Sequence, residues 1–294
     1  MINWIHYPKQ AVINRYIECY WFIEKKPDAN SYAFPKLNPD PSCHLILSPL
    51  DQAYRYDIQV DSLSQGEQQT SCDKGFILQG HGSHWLLPHH HTLELDHTDP
   101  FVHLGVKFQV GALYSLGLAP ELVNSMDQVK PVQFSTLFDP LSLQETTLIE
   151  LARQQPNTCF EELDALFEPW LKKAQEDKHS DLVRRCLPLL VDNSVSALGE
   201  KLHCSQRRLE RSFNRVTGLT LKQCQAMNKL EQLLAFLYQR EASDIDWVEV
   251  AFEFGFSDQP HLIRHLKQKL GLTPKSYVKE RGFTIDVYGG VEST

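Results

Sequence analysis

The chain has 294 residues, with 29 Lys+Arg against 37 Asp+Glu and a formal net charge of −8, which excludes a generally basic nucleic-acid binder. The run of about eighteen apolar residues that a membrane span needs is missing, so no transmembrane helix and no membrane partner are expected. Met1-Ile2-Asn3-Trp4 does not open a signal peptide, and seven scattered cysteines without a C-x-x-C pair suit a reducing cytoplasm.

Residues 1–110 read as strands. The segments 17–24, 43–48, 53–60, 75–79, 91–96 and Phe101–Phe108 are short and rich in aromatic or β-branched residues. Pro, Gly, Asp and Ser separate them. Tyr54, Tyr56, Ile58 and Val60 alternate. Six short strands with turn signals predict an antiparallel β-barrel or sandwich. Its aromatics fill a core first. Trp21, Tyr32, Trp85 and Phe108 are the candidates for an effector pocket.

The same region holds His81, His84, His89, His90, His91, His97 and His103. Imidazole is a common metal ligand, and His81-x-x-His84 invites that reading. Against it, residues 89, 90 and 91 cannot share one face of a strand, and no carboxylate stands at a familiar offset. These histidines read as solvated or satisfied loop residues; no metal site and no cofactor are expected.

A short helix is expected after Gly111 and another after Pro120, then helices over 141–153 and 160–173. Thr158 and Glu161 have capping-box spacing behind Pro156. Phe160, Leu163, Leu166, Phe167, Trp170 and Leu171 make a broad apolar face. That face either packs back on the barrel or pairs with a second subunit. Polar residues 174–178 set a boundary, giving 1–176 as a sensory or dimerisation barrel with a helical pair, 177–283 as a second domain and 284–294 as a tail.

The second domain is helical. From His179 onward 16 basic residues face 14 acidic ones, against 13 and 23 before it. Ser205 caps a helix over 206–216 that buries Leu209, Phe213 and Val216 and ends at Gly218. A short helix over 195–202 precedes it. The pair is a helix-turn-helix, and 250–277 repeats it with a turn at Gly255, a cap at Ser257 and a stop at Gly271. Ala197 aligns with Ala251, Ser205 with Ser257 and Gly218 with Gly271. Between the copies, Thr220 and Gln223 make another capping box before a long amphipathic helix. The second helix of each copy is locally basic: 205–217 holds four Arg against one Glu. Arg can pair with guanine and Gln with adenine, while Ser at a helix N-terminus suits phosphate.

With those residues in view, 180–282 resembles the DNA-binding domain of AraC/XylS-type transcription regulators. Ala251-Phe-Glu-Phe-Gly-Phe-Ser-Asp-Gln259, Leu262, Arg264, Lys267, Gly271-Leu-Thr-Pro274 and Tyr277 carry the match. Leu198, Leu202, Ser205, Arg208-Leu-Glu-Arg211, Phe213 and Thr217-Gly218 carry it in the first copy. The front half is similar to the cupin-like barrel of one family branch through Tyr20-Trp-Phe-Ile23, Pro39-Asp40 with Leu45-Ile46, and Gly105-Val-Lys-Phe108 with Gly111. The resemblance places base contacts on Arg207, Glu210 and Arg211, and on Gln259, Pro260, His261 and Arg264. Pro260 departs from the usual polar residue, Leu266 from Phe and Cys224 from Tyr.

The fold class expected is α+β: an antiparallel β-barrel with a helical pair, then an all-α domain of two helix-turn-helix motifs joined by a spacer. The function expected is a cytoplasmic, non-enzymatic, sequence-specific regulator, an activator by family habit. Ser205, Gln206, Arg207, Glu210, Arg211, Ser257, Gln259, His261 and Arg264 would meet the DNA. The implied partners are a double-stranded operator, RNA polymerase, a small-molecule effector and a second copy. The rival readings are a metal-dependent cupin-type barrel enzyme and a ligand-free assembly domain with a DNA-binding appendage.

Overall fold

The computed structural model describes residues 2–27, 33–58, 77–138, 143–238, 240, 244–270 and 284–285. Tyr32, Phe76, Val60 and the Gly271–Pro274 and Tyr277 matches lie outside the described residues.

The strands of the front half are β1 (Ile2–His6), β2 (Ile17–Lys25), β3 (Lys36–Leu37), β4 (His44–Leu47), β5 (Ala53–Ile58), β6 (Ile77–His81), β7 (His84–Leu86), β8 (Leu93–Leu95), β9 (Phe101–Phe108) and β10 (Val129–Pro131). Helices α1 (Ala11–Asn14), α2 (Ala112–Ser115), α3 (Pro120–Val123), α4 (Phe134–Leu137), α5 (Glu145–Gln154) and α6 (Pro156–Leu171) intervene and follow. Among the described residues one sheet has the order β1-β2-β9-β4-β7-β10. The other holds β3-β8-β5-β6, with β11 (Thr284–Ile285) running parallel beside β3. Every other pairing is antiparallel, as expected. Thr284 and Ile285, in the segment expected as a tail, therefore form an edge strand.

Strand alternation divides the core in two. Tyr20, Phe22, Leu104, Val106 and Phe108 face outward under the helices, while Cys19, Trp21, Ile23 and Phe101 face the opposing sheet. The outer face is closed by Leu148, Ile149, Leu163, Phe167 and Leu171 of α5 and α6. The helical pair thus packs back on its own sheet, and the apolar face of α6 is not free for a second subunit. Phe108 lies edge-on to Phe167 at 6.2 Å and to Trp170 at 6.1 Å.

The expected Thr158–Glu161 capping box is not made. Helix α6 starts at Pro156, with Gln155 as its cap residue, so Thr158 is already inside the helix. Proline suits the first helical position because its missing N–H would be unsatisfied there anyway. The strand expected over 91–96 shortens to β8, because residues 90 and 91 form a bend.

The rear half contains α7 (Lys178–Leu190), α8 (Val195–Lys201), α9 (Gln206–Thr217), α10 (Leu221–Tyr238), α11 (Trp247–Glu253) and α12 (Gln259–Leu270). Asp177 caps α7, accepting from His179 N and Ser180 N in a box with Ser180. Two cores form here. Leu182, Val183, Cys186, Leu198, Leu209, Phe213 and Val216 make the first. Val250, Ala251, Phe256, Leu262, Leu266 and Leu270 make the second. Helix α10 serves both, with Leu221, Cys224 and Met227 in the first and Leu230, Leu233, Leu234 and Leu237 in the second.

Candidate nucleic-acid interface

Helix α9 is set by its ends. Ser205 Oγ accepts from Arg208 N at 3.3 Å, and Gly218 closes the helix in the left-handed region at φ 73°. Leu209, Phe213 and Val216 bury one side. At 100° per residue, that turns Arg207, Glu210, Arg211 and Asn214 outward together, and all four are exposed. Gln206 stands at the edge of this face, half-buried, with its amide donating to Glu210 Oε1 at 3.0 Å.

The second copy repeats the arrangement with one change. Asp258, not Ser257, caps α12: its Oδ1 accepts from His261 N at 2.7 Å. Ser257 Oγ instead lies 3.1 Å from His261 Nδ1. The turn before α12 is one residue longer than the turn before α9, which displaces serine from the cap position. The structural register is therefore Ser205 with Asp258, Leu209 with Leu262, Phe213 with Leu266 and Arg211 with Arg264. In that register Pro260, Arg264 and Lys267 occupy the exposed face. Ile263, half-buried, replaces Glu210, and Gln259 is half-buried at the edge like Gln206. His261 is exposed on the flank, matching Arg208. The two turns use left-handed residues, His203 at φ 51° and Gly255 at φ 63°.

The spacer begins with the expected box: Thr220 N donates to Gln223 Oε1 at 2.9 Å, and Gln223 N donates to Thr220 Oγ1 at 3.2 Å. Its 18 residues span about 27 Å, against roughly 34 Å between successive major grooves on one face of DNA.

Both motifs are docked on the front half. Arg215 Nε donates to Tyr114 Oη at 3.0 Å, and Tyr114 donates in turn to the α7 cap Asp177 at 2.8 Å. A β-carbon at Gly111 would lie 2.8 Å from Val216 Cγ1, so only glycine lets α9 approach this closely. In the middle, Lys107 Nζ reaches Glu18 at 3.1 Å, Asp40 at 3.3 Å and Glu231 of α10 at 3.9 Å. Burial alone would push the Lys107 ammonium down; Asp40, Glu18 and Glu231 hold it above its ordinary value. Burial likewise pushes the Asp40 carboxyl up, and Lys107 with His44 more than reverses it. His44 Nε2 donates to Asp40 Oδ2 at 3.2 Å, and Trp21 Nε1 donates to His44 Nδ1 at 3.3 Å. At the far end Thr92 Oγ1 donates to the Lys269 carbonyl of α12. Beside α7, a cleft of about 280 Å³ opens between Tyr16, Val110, Val183, Leu187 and Val216, with Arg15, Glu176 and Arg184 at its rim.

The aromatic residues expected in one pocket are not brought together. Trp21 faces the opposing sheet, whereas Trp85 and Phe108 pack 5.6 Å apart on the opposite face under α6. Alternation along the strands separates them. Nor do His81 and His84 meet: His81 is exposed and His84 is fully buried beyond the turn at Gly82. His84 Nδ1 donates to the Gly82 carbonyl at 2.9 Å, leaving Nε2 to accept from Tyr56 at 2.7 Å. Burial pushes His84 down to about 4.

Residues 198–280 match the family described as a helix-turn-helix domain. They form an AraC-type helix-turn-helix domain. No curated protein matches the chain. Among solved structures, the chain is similar to the C-terminal domain of AraT, a response regulator from Geobacillus stearothermophilus. The identity there is 20%, covering 36% of this chain and 89% of that one, with a TM-score of 0.32. An apo variant of ToxT from Vibrio cholerae is similar at 10% identity over 88% of this chain and 97% of that one, TM-score 0.46. ToxT with an unsaturated fatty acid bound is similar at 11% over 88% and 93%, TM-score 0.42. Sequence reasoning places Ser205 at the cap of α9 and Arg207 and Arg211 along that helix, where they lie. It missed Asp258, because Ser257-Asp258 offers two cap residues in a row and only packing decides between them. It also missed Lys107, whose partners come from three separate parts of the chain.

Proposed function

We propose that this protein is a cytoplasmic transcription regulator that reads a double-stranded operator through α9 and α12. The observation that carries the reading is the pair of outward helix faces in matching register, each with exposed basic residues, joined by one shared helix. Arg207 and Arg211 supply the bidentate donors that guanine edges accept. Pro260 offers no such donor, so α12 contributes through Arg264, Lys267 and backbone contacts, and α9 carries more of the specificity. Ser205 and the first turn of α9 suit phosphate. The residues proposed to meet DNA are Ser205, Gln206, Arg207, Glu210, Arg211, Ser257, Gln259, His261 and Arg264, with 177–283 as the DNA-binding unit.

The front half sets how that unit is presented. Tyr114, Lys107 and Thr92 each hold a different part of it, so an effector or a second subunit that alters the barrel changes the pose of both recognition helices. Activation through RNA polymerase is the output we infer, on the resemblance to AraC/XylS-type regulators alone.

Genome-wide mapping of sites bound by the full chain, followed by footprinting, tests the reading. Protection of two major-groove segments about one helical turn apart is expected, and affinity that falls steeply as salt is raised from about 50 to 200 mM. Binding without sequence preference, or insensitive to salt, would overturn it.

A further inference from the structure

The loop 87–92, between β7 and β8, is laced to the loop 124–128, between α3 and β10. Leu87 N donates to the Gln128 carbonyl at 3.0 Å and Asp127 N to the Pro88 carbonyl at 2.9 Å. His90 N donates to Asp127 Oδ1 at 3.0 Å. Asp127 itself sits in the left-handed region, at φ 51°, where few residues other than glycine and asparagine are found. This turn sets its carboxylate against two imidazoles. His90 Nδ1 lies 2.5 Å from Asp127 Oδ2, and the His90 and His91 rings stand 4.0 Å apart. One nitrogen from each histidine and one Asp127 oxygen all lie within 4.8 Å of each other. The bend at 90–91 makes this possible: adjacent residues on a strand would face opposite ways, as His89 does, with its Nε2 2.9 Å from the Asn38 carbonyl.

From this geometry we infer that His90, His91 and Asp127 form a binding site for a divalent first-row transition metal. Two imidazoles and one carboxylate suit zinc, cobalt, nickel or ferrous iron and do not suit magnesium. Ligand atoms about 2.0–2.2 Å from a tetrahedral ion stand roughly 3.4 Å apart. The His90–Asp127 pair, now 2.5 Å apart, must open, and the ligand atoms that lie as far as 4.8 Å from one another must close, each by side-chain rotation of about an ångström. The ion takes the lone pairs of His90 Nδ1 and Asp127 Oδ2 that now face each other, and water completes its shell. All three side chains are half-buried, so an ion can enter from solvent.

The position of the site gives it a consequence. Asn124 and Met126, on the Asp127 loop, lie under the first helix-turn-helix. A β-carbon at Gly218 would be 3.2 Å from Asn124 Cα, and Met126 packs on the first motif's core. Thr92, next to His91, holds the Lys269 carbonyl of the second motif. A metal tying the two loops together stiffens the ledge on which both motifs rest.

The test uses the full chain, stripped with chelator and titrated with cobalt(II), then with zinc as competitor. Saturable uptake of a single equivalent with visible d–d absorption, displaced by zinc, is expected. Asp127→Asn and His91→Gln should each weaken uptake by at least the roughly tenfold that loss of an outer-shell partner costs. Asparagine tolerates the left-handed backbone, so Asp127→Asn should keep the wild-type melting profile; His81→Gln, away from the cluster, should keep full uptake. Absence of saturable uptake, or uptake unchanged in both ligand variants, would overturn the proposal. Operator binding measured on the same stripped protein stands apart from either result.

Discussion

Arg207 and Arg211 lie one turn apart on the outward side of α9, free of the core that holds Leu209 and Phe213. Replacing either by alanine should weaken operator binding by roughly 1–3 kcal/mol where it meets a base. Titration of operator and scrambled duplexes at one salt concentration measures this; equal losses on both would reassign the residue to phosphate. Lys107 has a different kind of weight. It is 2% exposed and faces three carboxylates, of which Asp40 is itself buried. Lys107→Met should cost about 3–5 kcal/mol, because it leaves a buried charge without its partner. Glu231→Gln should cost under about 1 kcal/mol, since Glu231 is 42% exposed and 3.9 Å away. Urea midpoints of the two variants make the comparison. The arginines were legible in the sequence through the helical period. The lysine was not, because a lone Lys in an apolar strand gives no sign of partners 67 and 124 residues distant in the chain.

At the scale of elements, the two helix-turn-helix copies differ in one residue of turn length, and the cap tells them apart. Asp258→Ala should destabilise the second motif by about 1 kcal/mol, while Ser257→Ala should change little. Thermal melts of the two variants decide it, and the reverse order would restore Ser257 as the cap. Helix α10 explains why the copies do not separate into independent units. Its first half completes one core and its second half the other, so apolar residues appear on more than one side. Periodicity made the helix legible. Its division between two cores was not, since that depends on what packs against each half. The helical pair α5–α6 shows the same limit. Its apolar face was plain in the sequence, yet only the outer face of the sheet, with Tyr20, Phe22 and Phe108, shows what covers it.

For the whole molecule, buried histidines make stability depend on pH. Burial pushes His84 down to about 4 and His97 to about 3; His265 falls to about 4 through burial and the nearby lysines. In the unfolded chain each takes up a proton near pH 6.5. Below that pH the unfolded state binds protons that the folded state refuses, so stability falls, by roughly 1.4 kcal/mol per pH unit for each group, down to the folded value. Glu145 opposes this. Burial raises it to about 7, so it adds stability as pH falls toward its ordinary value. Glu231, which burial also raises to about 7, acts like Glu145, while His103, pushed well down by burial, adds to the loss; four histidines against two carboxyls leave a net loss between pH 6.5 and 4.5. Urea midpoints at pH 7, 5.5 and 4.5 should decline in that order; a flat series would mean that these histidines are hydrated.

The sequence by itself determined the two classes of element and the two helix-turn-helix motifs. It also determined which α9 side chains face outward, because period, caps and turn residues are local and each is set by a few neighbouring side chains. The tertiary structure decided what depends on distant strands and helices meeting. It split the barrel aromatics between two faces, gave Asp258 the cap, buried Lys107 among carboxylates from three segments, and set His90 and His91 beside Asp127. Those groupings arise from burial and close approach between parts of the chain far apart in order, which no local pattern encodes.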